Sequence, residues 1–170
     1  DARARFRAII LDAELTRTVP LLTRRAVGVD ALSHAIESFV SMAAGPQSRF
    51  LSSEALHLLD ASFQDSLKDA AGTATRARML LGAHWAGAAI ENSMLGAAHA
   101  CANPLTAQCG VTHGGAVALM LPHVIRFNGV AVNGEYGELA QVLGSAASDG
   151  GGGGESAVER LAERVSELRG

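Results

Sequence analysis

The stretch Ala116 to Ile125, AVALMLPHVI, is apolar nearly all the way round a helical wheel. A helix with no polar face is stable in water only inside a shell of other elements. That stretch therefore demands neighbours along most of its surface. Thr112 stands where it can cap such a helix, with His113-Gly114-Gly115 as the first turn. Pro122 is expected to kink or end it, and Asn128-Gly129 to turn the chain into an amphipathic segment around Tyr136 to Leu143. The neighbours come from a chain of 170 residues, enough for one domain, in which 48% of residues are hydrophobic and only 4% aromatic. A core made mostly of Ala, Leu and Val suits closely packed helices, and the expected class is an all-α, bundle-like domain.

Upstream, FRAIIL (6–11) is too short for a helix and reads as a strand remnant, with Asp12-Ala13-Glu14 as a turn after it. Pro20 suits the first turn of a short helix. From about Gly28 to Met42, Val29, Leu32, Ile36, Phe39 and Val40 recur at helical spacing as a buried stripe, while Asp30, His34 and Glu37 share another. Pro46 restarts the chain into a helix to about Lys68, carrying Phe50, Leu51, Ala55, Leu58, Leu59 and Phe63. A further helix is expected from Thr75 to Ser93. Five glycines, 150–154, lack the preceding strand and following lysine of a phosphate loop and read as a linker. Ser156 and Glu159 then form a capping-box pair for a helix whose Val158, Leu161, Ala162, Val165 and Leu168 share a face. The expected organisation is a connector over 1–19, a helical domain over 20–147, a Gly-rich linker over 148–155 and an amphipathic helix over 156–170.

The net charge of −3 argues against a nucleic-acid surface. No apolar run reaches the ~18 residues of a membrane span, and DARARFRAII lacks the layout of a secretory signal. A soluble cytoplasmic protein is expected, with Cys101 and Cys109 as buried free thiols.

The chemistry concentrates between Gly96 and Gly115, GAAHACANPLTAQCGVTHGG, where Asn103-Pro104 and Gly110 interrupt the chain so that His99 and His113 can meet. Asp30 and His34, four residues apart on a helix, leave the same face one turn apart and can reach one ion. One carboxylate and three neutral imidazoles would leave a divalent ion a residual charge of +1, able to polarise an oxygen. A competing set, His99, Cys101, Cys109 and His113, has the spacing H-x-C-x7-C-x3-H and lacks the close cysteine pair of most closed zinc sites. His57, His84 and His123 read as packing or capping residues; Glu37, one turn beyond His34, reads either as a support behind the metal ligands or, preferred, as half of a surface ion pair.

Taken in order, Asp30-Ala-Leu-Ser-His34-Ala-Ile-Glu37, Asn92-x2-Leu95-Gly96-x2-His99, His113-Gly114, Leu121-Pro122-His123 and Phe127-Asn128 resemble the successive signatures of the iron-containing alcohol dehydrogenases. ILDAELTRTVP is similar to that family's entry into its helical domain, and the resemblance covers roughly residues 8 to 145. It implies a dehydroquinate synthase-like fold: an N-terminal dinucleotide-binding domain, a C-terminal helical domain, and a metal and substrate in the cleft between them. It further implies Asp30, His34, His99 and His113 as ligands of Fe2+ or Zn2+, and hydride transfer between a small alcohol or aldehyde and NAD or NADP. Leu15 falls where the family approaches the cofactor, Ile90 where it lines the substrate pocket, and relatives suggest a homodimer.

The chain departs from the family in three places. Where many members carry a second histidine four residues after the third ligand, associated with proton movement, this chain has Asn103, which the resemblance would place at the substrate pocket and which cannot titrate. No strand, glycine-rich turn and helix of a dinucleotide fold precede Asp30. The five-glycine tail lies outside the resemblance. Two rival readings are a metal-independent enzyme like the maleylacetate reductases, which are similar in pattern but lack the ligand set, and a non-catalytic helical metal-binding domain.

Overall fold

The structure, a computed structural model, describes residues 6–143 and 156–169. Within them lie a 3-10 turn, Ala13–Thr16, and six helices: α1 Leu21–Val40, α2 Pro46–Ser66, α3 Thr73–Glu91, α4 Ala97–Cys109, α5 His113–Val142 and α6 Ala157–Arg169. The all-helical class follows the sequence reading. The strand remnant does not form: 6–11 carries no regular structure, and Phe6 and Ile10 stand in solvent. A strand needs a neighbour to pair its N–H and C=O groups, and no strand exists among the described residues to supply one. The turn after it does form, with Asp12 Oδ1 accepting from the Glu14 N–H.

Two boundaries differ from expectation because packing overrides local signals. The short helix at Pro20 and the one beginning near Gly28 are a single helix, α1, with Pro20 as its N-cap. Gly28 lies inside it because Phe63 of α2 occupies its missing side chain's place, a Cβ there falling 2.5 Å from the ring. Likewise α5 runs through both Pro122 and Asn128-Gly129, and its break comes a few residues later, at Val132, φ −127° and ψ 35°, where two helical segments meet at a kink. Pro122 costs the helix a hydrogen bond. Leu121, Pro122, Val124 and Ile125 are buried around it, and packing on α1 and α6 holds the helix across the gap. Gly129 is no turn residue: its Cβ would come 2.6 Å from Val158 of α6.

The apolar stretch 116–125 thus has its shell on most sides, with Leu119 left 48% exposed. α1 lies against α2, α3 and α5, while α4 and α6 both pack on α5. By length and composition α5 is apolar enough to cross a membrane, and here it is the strut along which α1 and α6 bury their stripes. The predicted faces hold: Val29, Leu32, Ile36 and Phe39 are buried on α1, and Leu161, Ala162, Val165 and Leu168 on α6. Phe50 does not, standing exposed on α2, where Leu56 is buried instead. The Ser156 hydroxyl caps the Glu159 N–H at 3.2 Å, and the Glu159 carboxylate turns to Arg126 of α5. Arg164 reaches Asp60 of α2, so α6 is fastened to two helices. The glycine linker falls outside the described residues.

Gly129 and Gly134 share α5 but have opposite surroundings, since nothing lies within 4 Å of a Cβ built at Gly134. Gly129→Ala should destabilise the chain by about 1–3 kcal/mol through the clash with Val158. Gly134→Ala should stabilise it by up to about 1 kcal/mol through helix propensity. Urea denaturation of both variants checks the opposed signs.

Candidate metal centre

Three helices bring four side chains together: the donor atoms of Asp30, His99 and His113 lie within 4.8 Å of one another, and His34 stands outside that group, beside Asp30 and His99. Asp30 and His34 leave α1 one turn apart, His99 lies in the first turn of α4, and His113 is the first residue of α5. The reversal that brings the last two together is not at Asn103-Pro104, which lies inside α4. It is made at Gly110, which caps α4 in the left-handed region with φ 66°. Gly114 then lets the start of α5 press onto the α1 backbone: a Cβ there would lie 2.4 Å from the Ala26 carbonyl oxygen. No side chain larger than hydrogen would allow His113 so near Asp30.

Asp30 Oδ1 lies 3.6 Å from His34 Nε2, 3.3 Å from His99 Nε2 and 3.6 Å from His113 Nε2. His34 Nε2 and His99 Nε2 are 3.1 Å apart. Donors sharing a cation at ~2.1 Å would stand ~3.0–3.4 Å from one another for angles between square and tetrahedral. The observed separations fall in or just outside that range. Moreover, Asp30 Oδ1 is buried without a hydrogen-bond partner, although three ring nitrogens surround it. A buried carboxylate oxygen in that state calls for a positive centre, and one carboxylate with three imidazoles is a donor set that Fe2+ or Zn2+ accepts. The residues present fit the ion.

Burial graduates across the cluster. The side chain of His99 is 6% exposed, those of Asp30 and His34 are 21% and 24%, and that of His113 is 41%. The site opens beside His113. Burial raises the Asp30 pKa, but the three imidazoles, His99 foremost, more than offset it and hold the carboxyl below its usual range. Burial keeps His34 below the ordinary imidazole value against the pull of Asp30, so its ring is poised neutral. For His99, burial acts the same way but is outweighed by Asp30 and Glu37, which push it up to about 9.

Of the two places the sequence left open to Glu37, the structure gives the less favoured one. Glu37 is no surface residue: its side chain is 3% exposed, Oε2 accepts from His99 Nδ1 at 2.6 Å, and Oε1 accepts from the Ala98 N–H at 2.6 Å. Its position one turn beyond His34 was the available signal, but its partner lies 62 residues away and only the fold supplies it.

The remaining candidates lie apart. Leu15 is on the 3-10 turn and exposed, Ile90 is half-buried near the end of α3, and Asn103 is exposed on α4 one turn after His99. Cys101 and Cys109 are exposed, contrary to the expected burial, and neither belongs to the donor group formed by Asp30, His99 and His113. His57 and His123 are exposed and His84 half-buried, away from that group.

Residues 25–169 match the Fe-containing alcohol dehydrogenase family, C-terminal, so α6 belongs to the family domain although the sequence resemblance stopped short of it. The chain is 32% identical over 139 residues to long-chain-alcohol dehydrogenase 1 of Geobacillus thermodenitrificans, covering 82% of this chain and 35% of that protein. It is 34% identical over 137 residues to lactaldehyde reductase of Escherichia coli, covering 79% and 35%. Among solved structures it is similar to sulfoacetaldehyde reductase from Bifidobacterium kashiwanohense in complex with NAD+, with TM-score 0.80, 29% identity and coverage of 92% of this chain and 39% of that one. The alcohol dehydrogenase from Oenococcus oeni gives TM-score 0.85 at 28% identity, covering 92% and 40%. The chain therefore spans little more than a third of the length of these relatives. By sequence match and by fold, it belongs to the Fe-containing alcohol dehydrogenase family, as its C-terminal, helical part.

Proposed function

We propose that this chain is the metal-binding part of an NAD- or NADP-dependent alcohol dehydrogenase or aldehyde reductase. Asp30, His34, His99 and His113 would hold a divalent ion, and a dinucleotide-binding domain would carry the nicotinamide across the cleft. The observation that carries the reading is the convergence of three imidazoles on the otherwise unpartnered Asp30 Oδ1. Relatives named as an alcohol dehydrogenase and as reductases of lactaldehyde and sulfoacetaldehyde support a small alcohol or aldehyde as substrate. Donor type suits Fe2+ and Zn2+ alike, and the family favours iron.

When bound, the ion would supply Lewis-acid polarisation of the substrate oxygen. The rest falls to the chain. Asp30 and the three rings fix where the ion sits, and the half-exposed His113 leaves the approach on its own side open to substrate. His34 and Asp30, held neutral and anionic by their surroundings, need no change of state at neutral pH to act as donors. Asn103 can hydrogen-bond but cannot accept the alcohol proton, which must leave through water or a ribose hydroxyl. Leu15 and Ile90 would line the cofactor and substrate sides of the cleft.

Metal content tests the ligand set. Asp30→Ala and His99→Ala should each lose the bound equivalent of Fe2+ or Zn2+ after dialysis, measured by elemental analysis, while His57→Ala keeps it. Retention of a full equivalent by both ligand variants would remove the reading.

The His99 pKa gives a second test. In the metal-free chain this ring is protonated below about 9 and must release its Nε2 proton when an ion binds. The apparent Zn2+ affinity should therefore rise about tenfold per pH unit from pH 6.5 toward 9 and level off above it. A competition titration across that window would show no such slope if His99 were not displaced.

The cofactor arrangement is tested by titrating NADH and NADPH into the metal-loaded chain. Weak or absent binding is expected from the helical part by itself, and tight binding would contradict a cleft shared with a second domain.

A further inference from the structure

We infer that Glu37 is the positioning residue of the metal centre: it clamps the His99 ring so that Nδ1 carries the proton and Nε2 faces the ion. This inference rests on the four-donor reading above. Glu37 points from the buried face of α1 into the first turn of α4, where its two oxygens have separate duties. Oε1 takes the Ala98 N–H, in a helix that has no side-chain cap of its own. Oε2 takes His99 Nδ1. A carboxylate can only accept, so it holds a proton at Nδ1, and the proton that an arriving ion displaces is the one on Nε2. Nε2 is the atom that stands 3.3 Å from Asp30 and 3.1 Å from His34.

The placement is enforced on the other side by Gly96. A Cβ there would lie 2.8 Å from Oε1, so the N-cap of α4 has been kept bare where the carboxylate passes. The same carboxylate thus sets the angle at which α4 leaves its N-terminus and the rotation of the ring one residue past Ala98. Carboxylates behind metal-bound histidines commonly contribute about 10–100-fold in metal affinity through this kind of contact. Here the contact is coupled to a helix start, where the partial positive charge of the unpaired N–H groups favours an anion.

The test uses Zn2+ as a diamagnetic probe on the 170-residue chain. Glu37→Gln preserves volume and can still accept from Ala98 N–H, but it presents an amide NH2 where His99 needs an acceptor. It should bind Zn2+ about 10–100-fold more weakly, with helical circular dichroism unchanged. In the Zn2+-loaded chain, the 15N spectrum of His99, a single Nδ1-protonated form in the wild type, should become a mixture or shift to the other tautomer. Gly96→Ala keeps the carboxylate but displaces Oε1, and should show the same two changes to a smaller degree, so the question stays decidable if Glu37→Gln fails to fold. A residue with only a structural role would lower the melting temperature and leave the His99 tautomer alone. Zn2+ affinity within about twofold of wild type in either folded variant, with Nδ1 still protonated, overturns the inference. If instead the wild type takes up no Zn2+, or His99→Ala takes up a full equivalent, the four-donor reading has failed and the inference falls with it.

Discussion

Asp30 carries a buried oxygen that three imidazole nitrogens approach to within 3.6 Å and none satisfies by a hydrogen bond. In a protein interior an unpaired carboxylate oxygen costs several kcal/mol unless a positive centre faces it. The three rings come from three helices, so that one requirement fixes the relative placement of α1, α4 and α5. Without an ion the cluster compensates with a proton, which is why His99 is pushed up to about 9. The proton and the divalent ion compete for the same place between the same groups.

Such a convergence requires helices to meet at closer than ordinary distance, and the chain achieves this by omitting side chains. Gly114 brings α5 against the Ala26 carbonyl, Gly28 admits Phe63, and Gly82 admits Leu59. These contacts explain a core so poor in aromatic residues: with small residues at the crossings, backbones rather than side chains set the spacing. The few large groups are confined to places with room for them, as with Tyr136, whose phenol is pushed up to about 12 by burial. α6 follows the same rule at Gly129, where Val158 takes the vacant space.

Much of this was legible in the sequence. The stripe on α1, the face of α6 and the enclosed body of α5 followed from helical periodicity, because burial there depends on spacing along one helix. Asp30 and His34 were legible as a pair for the same reason. What failed were punctuation marks read locally. Pro122, Asn103-Pro104 and Asn128-Gly129 look like breaks, yet all three lie within helices, since neighbouring helices supply packing that an isolated segment lacks. FRAIIL failed in the opposite sense, because apolar composition cannot create a strand without a partner. The surface ion pair was preferred for Glu37 because nothing within its own helix records that the first turn of α4 would close over it.

The exposure gradient across the cluster follows from which helix end each donor occupies. His99 sits inside the first turn of α4, roofed by α1 and backed by Glu37, and is nearly sealed. His113 opens α5, where no preceding turn covers it, and is 41% exposed. A ligand cage with both rings sealed would hold an ion but admit no substrate, and one with both exposed would hydrate the ion and weaken every contact around it. Placing one ring within a helix and the other at a helix start gives a site anchored on one side and open on the other. That asymmetry is a property of the chain trace between Gly96 and Gly115, and it separates holding an ion from presenting it.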